Sequence, residues 1–123
     1  KKEEGHIIVK NILLDSDDGK LKIFVPNLYR HEILNYLARE YEHGQAFFLF
    51  RSMSEFGFIE YDLDHNTVDK TIEIVKNCDK VASYDATFHA LAIIENATLI
   101  TADEKYYQKA KKFDHIILLK DYK

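Results

Sequence analysis

The residue pattern predicts an α/β domain built on a doubly wound parallel sheet, and three observations carry that reading. Short apolar strand candidates alternate with amphipathic helical stretches along the chain. Two of the strand candidates, residues 97–101 and 115–119, are continuously apolar, as strands covered on both faces are. A length of 123 residues, 46% of them hydrophobic, suffices for one sizeable core.

The elements follow in order. Residues 6–15 place Ile8, Val9, Ile12 and Leu13 at helical spacing, and Asp17, Asp18 and Gly19 stop that helix, with Asp15 expected in the same turn. Residues 21–25 form a short apolar strand ended by Pro26. Between Asn27 and Tyr41, Leu34, Leu37, Ala38 and Tyr41 make one stripe and Glu32, Asn35 and Arg39 another, the pattern of an amphipathic helix. After His43 and Gly44 a second helix presents Ala46, Leu49, Phe50 and Met53 as its buried face. Residues 58–63 alternate Ile59, Tyr61 and Leu63 with Glu60 and Asp62, which suits a half-exposed edge strand. Asn66 to Asn77 is helical on Val68, Ile72 and Val75. Residues 83–96 are helical again, opened by Ser83 and Asp85 as a capping set and closed by Asn96. The two apolar strands then flank a short helix at 103–112. Strands separated by helical crossovers must run parallel, with helices on both faces of the sheet. Four strands are visible, and the first helix has no strand feeding it.

Composition narrows the classes. Sixteen aromatics, eight Tyr and eight Phe, add large apolar area, while four Gly and one Pro leave little room for long linkers. One domain spanning residues 1–123 is expected. Cys78, the single cysteine, excludes an internal disulfide, and no Cys/His set has zinc-ligand spacing. No apolar stretch is long enough to span a bilayer, and the charged Lys-Lys-Glu-Glu-Gly start is no signal peptide, so a cytoplasmic protein is expected. A net charge of −4 argues against a domain coated on nucleic acid, though not against an enzyme gripping RNA through a cation.

In a parallel sheet, ligands bind beyond the carboxyl ends of the strands. Three carboxylates are placed there: Glu32 in the first turns of the helix after strand 21–25, Asp103 directly after strand 97–101, and Asp85 opening the helix that feeds that strand. Singly, each is explained by the preference of helix first turns for acids. Converging on one cleft, two close carboxylates repel by about 4 kcal/mol at an effective dielectric near 20. Such a cluster keeps protons or binds a hard cation, and Mg²⁺ or Mn²⁺ among oxygen ligands points to phosphoryl chemistry.

Residues 83–112, SYDATFHALAIIENATLITADEKYYQKAKK, closely resemble the C-terminal half of PIN domains: a Tyr-Asp-Ala opening a helix, an Ala-Leu-Ala turn, and an apolar strand ending in Thr-Ala-Asp. Residues 25–40, VPNLYRHEILNYLARE, resemble the family's Pro-x-Leu-x-x-x-Glu helix segment. The resemblance implies Glu32, Asp85 and Asp103 as catalytic acids and metal ligands, with the Thr101 hydroxyl as a helper. It implies a ribonuclease toxin of the VapC type: cytoplasmic, dependent on Mg²⁺ or Mn²⁺, commonly a homodimer, and silenced by a cognate antitoxin. The sequence departs from the family in lacking the opening strand with its Asp. That strand would be central, so an N-terminally incomplete chain and two unpaired sheet edges are expected.

Other residues are read more plainly. His89, one turn after Asp85, is expected to pack; Lys105, Lys109, Lys111 and Lys112 to form a solvated face; Phe47, Phe48 and Phe50 to serve core or dimer packing. The alternative to an endoribonuclease is a catalytically inactive PIN-like scaffold that binds RNA or a protein. A phosphorylation receiver would need an early-strand acidic set that residues 58–63 do not supply.

Overall fold

The computed structural model describes residues 2–123, and side chains from Ile7 onward; the Lys-Lys-Glu-Glu-Gly start therefore lies outside the described side chains. Among the described residues six helices and four short strands follow in order: α1 (Lys2–Asp17), β1 (Phe24–Pro26), α2 (Tyr29–Glu40), α3 (His43–Ser54), β2 (Ile59–Tyr61), α4 (His65–Asn77), α5 (Ser83–Ile94), β3 (Leu99–Thr101), α6 (Glu104–Ala110) and β4 (Ile116–Leu118). Short 3-10 turns follow α6 at Lys111–Phe113 and β4 at Leu119–Asp121. The class is mixed α/β, and both strand pairings are parallel. The strands pair two by two, β1 with β2 and β3 with β4, so among the described residues each has one hydrogen-bonded neighbour. The chain divides into two compact units, one of Lys1–Lys22 with Leu63–Lys123 and one of Ile23–Asp62.

In the larger unit the core is a cluster of Ile74, Cys78, Ala86, Ala90, Tyr106, Ala110 and Ile116. The alanines of α5 let α4 approach closely. Asp64 opens α4 as its N-cap, its carboxylate accepting from the Thr67 N–H at 2.8 Å. The buried face of α4 is Thr67, Thr71, Ile74 and then Cys78; of the expected Val68, Ile72 and Val75 stripe, Val68 and Ile72 are exposed and Val75 packs against the core. Threonines can face inward because a helix supplies the partner: the Thr71 hydroxyl donates to the Thr67 carbonyl at 2.7 Å.

Helix α5 ends as Asn96 foretold. With φ +53, Asn96 takes the left-handed conformation, its N–H donating to the Ile93 carbonyl at 3.2 Å. The Ala97 N–H then reaches the Ala92 carbonyl at 2.7 Å, completing a Schellman closure that turns the chain into β3. The start of α5 differs from expectation: Ala82 is the N-cap, with no side-chain capping bond. Ser83 is already helical, and its carbonyl accepts from the Thr87 hydroxyl at 2.7 Å. Asp15 and Asp17 lie in the last turn of α1 rather than beyond it, and Asp15 accepts from the Tyr122 hydroxyl at 2.6 Å.

In the smaller unit β1 lies beside β2 in register Phe24–Ile59, Val25–Glu60 and Pro26–Tyr61. Pro26 has no N–H, and the ladder continues past it through the Asn27 N–H to the Tyr61 carbonyl at 2.9 Å. Arg30 forks onto Glu60 with bonds of 2.8 and 2.5 Å, a bidentate pair tying α2 to β2 and holding the Glu60 carboxyl below its usual range. The inward line of α2 is Tyr29, Ile33 and Leu37; of the expected stripe only Leu37 is buried. On α3 the expected face is the observed one, with Ala46, Leu49, Phe50 and Met53 half-buried, while Phe47 and Phe48 are 62% and 68% exposed.

Candidate active site

Asp103 follows β3 and is the N-cap of α6, its Oδ1 accepting from the Tyr106 N–H at 3.0 Å. Its own N–H donates to the Thr101 hydroxyl oxygen at 3.0 Å, so strand end, cap and helix start form one bonded turn. Asp85 is the third residue of α5, half-buried in the same unit. Burial raises the Asp85 pKa above its ordinary value, and the negative charge of Asp103 raises it further. The fold therefore brings these two carboxylates into electrical contact. Glu32 stands exposed in the first turn of α2, in the smaller unit.

Beneath the acid pair lies a bridge of buried polar groups. His89, on α5 one turn beyond Asp85, is 0% exposed. Its Nε2 sits 2.7 Å from the Asp114 carbonyl and its Nδ1 2.8 Å from the Tyr106 hydroxyl. A carbonyl only accepts, so Nε2 carries the proton, and Nδ1 of the neutral ring accepts from the Tyr106 O–H. Burial lowers the His89 pKa, which keeps the ring in that neutral form. The Asp114 carbonyl is aimed by a sharp turn in which Asp114 and His115 take φ of 59° and 56°. That turn is stitched to β3 by the Leu99 N–H to the His115 carbonyl (2.8 Å) and by His115 Nδ1–H to the Ala97 carbonyl (2.9 Å).

His89 is thus a packing histidine with both nitrogens engaged. Sequence reasoning missed its partners. Tyr106 had one signal, its place three residues after Asp103, where a helix N–H meets an N-cap side chain. The Asp114 carbonyl had none. The lysine face is partly structural: Lys112 donates to the Asn77 carbonyl at the end of α4, Lys109 pairs with Asp79 at 3.4 Å, and Lys111 lies 6.0 Å over the Tyr107 ring.

The donor chemistry of the acid pair fits a hard divalent cation. Two carboxylates, one drawn out of water, are oxygen ligands, and Mg²⁺ held by one or two carboxylates keeps water in the rest of its shell. The raised Asp85 pKa reflects burial first and the charge of Asp103 second, so a neighbouring cation would favour the ionised carboxylate. Within either unit, among the described residues, no three His, Cys, Asp or Glu side chains form a ready cage. A water-rich site is the kind that fits.

Comparison with known proteins agrees with this architecture. The sequence profile of the PIN domain matches residues 1–112 and so runs through both units. The chain belongs to the PIN domain family. PIN domains are generally nucleases, hydrolases of nucleic acid that use divalent metal ions. Neither among curated proteins nor among solved structures does the chain find a significant match. Among the described residues no helix is long and apolar enough to cross a membrane.

Proposed function

We propose that this chain is a metal-dependent endoribonuclease of the VapC-like toxin type, hydrolysing RNA phosphodiester bonds. The reading is supported by Asp103 capping α6 just after β3 and by the half-buried Asp85, whose pKa burial and then the charge of Asp103 raise, in a chain of the PIN family. Asp85 and Asp103 hold Mg²⁺ or Mn²⁺, and Glu32 is assigned as the third acid on the sequence resemblance. When bound, the ion supplies Lewis-acid stabilisation of phosphate charge and a water acid enough to attack phosphorus. The protein's part is to keep the Asp85 carboxylate half out of water, hold Asp103 by the Tyr106 N–H, and present the Thr101 hydroxyl beside them. No covalent enzyme intermediate is needed.

Both units are read as one PIN-like domain working in the cytoplasm, with a cognate antitoxin as its silencer. A homodimer is the proposed assembly, and the exposed Phe47 and Phe48 are the apolar area to be covered in it. The test is incubation of the folded chain with single-stranded RNA and Mn²⁺. Cleavage that EDTA abolishes is expected. A folded chain that binds RNA in Mn²⁺ without cutting it favours the inactive-scaffold reading instead.

A further inference from the structure

We propose that His89 and Tyr106 are positioning residues for the acid pair: their buried hydrogen bond fixes the helix bearing Asp85 against the helix capped by Asp103. The proposal rests on the reading of that pair as a cation site. A continuous path of bonds carries it. Asp103 Oδ1 accepts from the Tyr106 N–H, the Tyr106 hydroxyl donates to His89 Nδ1, and His89 shares a face of α5 with Asp85, one turn away. His89 and Tyr106 are 0% and 3% exposed, so no water competes for the bond, and neither ring can turn without breaking it. The Asp114 carbonyl locks the opposite nitrogen, which sets the tautomer that leaves Nδ1 as the acceptor. The rings also meet edge to face at 5.7 Å. Filling the space does not need the hydroxyl: a phenylalanine at position 106 would occupy it, while leaving His89 Nδ1 without its donor. What the hydroxyl adds is direction. It joins α5 to α6 at one point and one angle, four residues from Asp85 and three from Asp103.

Groups that orient metal-binding carboxylates typically change metal affinity by about 10- to 100-fold when removed. The experiment compares Mn²⁺ affinity, read from the EPR signal of free Mn²⁺, among the wild type, Tyr106→Phe, His89→Gln, Asp85→Asn and Thr71→Val. Thr71→Val is the control, since it also removes a buried hydroxyl and its 2.7 Å bond from the same unit. That bond runs back to Thr67 of its own helix and joins neither acid-bearing helix to the other. Tyr106→Phe is expected to weaken Mn²⁺ binding about 10-fold and to lower kcat on RNA with KM unchanged. Thr71→Val should lose thermal stability while binding Mn²⁺ as the wild type does. Combining Tyr106→Phe with His89→Gln should weaken binding no further, because both break one bond. Mn²⁺ affinity in Tyr106→Phe equal to that in Thr71→Val overturns the positioning role and leaves the acid pair standing. Unchanged affinity in Asp85→Asn overturns the acid-pair reading, and the positioning role falls with it.

Discussion

Replacing His89 with glutamine tests the buried bridge as a matter of stability, apart from any activity. The wild-type ring is fully buried and neutral, donating to Asp114 and accepting from Tyr106. Glutamine can keep the donor but leaves the Tyr106 hydroxyl without its acceptor. A buried polar group stranded in this way costs about 1–3 kcal/mol, so the variant should be less stable by about 2 kcal/mol at pH 7.5. The penalty depends on pH. The folded pKa of His89 is lowered from an ordinary value of 6.5, so below that pH the unfolded chain binds a proton that the folded chain refuses. The contribution is present in full above the unfolded pKa and is lost as pH falls toward the folded value. One proton corresponds to about 1.4 kcal/mol per pH unit, which bounds the loss between pH 7.5 and 5.5 at about 1.4 kcal/mol. Glutamine does not titrate. Urea unfolding of both proteins by circular dichroism at pH 7.5, 6.5 and 5.5 should therefore show the gap between them narrowing as pH falls. A gap independent of pH would refute the assignment of His89 as a neutral, buried group.

Other consequences can be checked in the same way. Ile74→Ala empties the centre of the larger core and should cost about 3 kcal/mol in chemical denaturation, whereas Ile72→Ala on the exposed side of the same helix should cost far less. Asp85→Asn should raise the melting temperature in metal-free buffer near pH 7. Its raised pKa means that this site's stability is fullest below the ordinary value of 3.8 and is lost as pH rises through the folded pKa, so removing the charge relieves a cost. An unchanged or lowered melting temperature contradicts that sign. The Tyr122 phenol, raised chiefly by its bond to Asp15, should ionise at lower pH in Asp15→Asn, as read by ultraviolet absorbance.

Where residues announced themselves locally, the sequence was legible. Asn96 ends α5 because an asparagine tolerates the left-handed turn that a Schellman closure needs, and Asp103 caps α6 because it directly precedes a helix. Strand-end logic names Asp85 and Asp103 as candidates without knowledge of any contact. Helix phase was harder. Helices α2 and α4 each carry apolar residues on two faces, and hydrophobicity alone does not say which is covered. The inward Thr71 of α4 is satisfied by the Thr67 carbonyl of the same helix, a compensation that a count of apolar positions misses. The pairing of strands two by two had no signature, because registers of three residues leave no mark in composition. The bridge was least legible of all. His89 and Tyr106 are 17 positions apart, and the third partner is a backbone carbonyl with no side-chain signature.

RNA cleavage in Mn²⁺ by matched single variants asks whether the acids of this chain cut RNA with a divalent ion. Asp85→Asn, Asp103→Asn and Glu32→Gln would be compared with the wild type, each shown to be folded, with EDTA as the control for metal. Wild-type cleavage should stop in EDTA and fall by at least about 100-fold with each substitution, the loss of roughly 2.7 kcal/mol of transition-state stabilisation. Cleavage that persists in EDTA, or that Asp85→Asn and Asp103→Asn leave intact, would contradict that role for the acids.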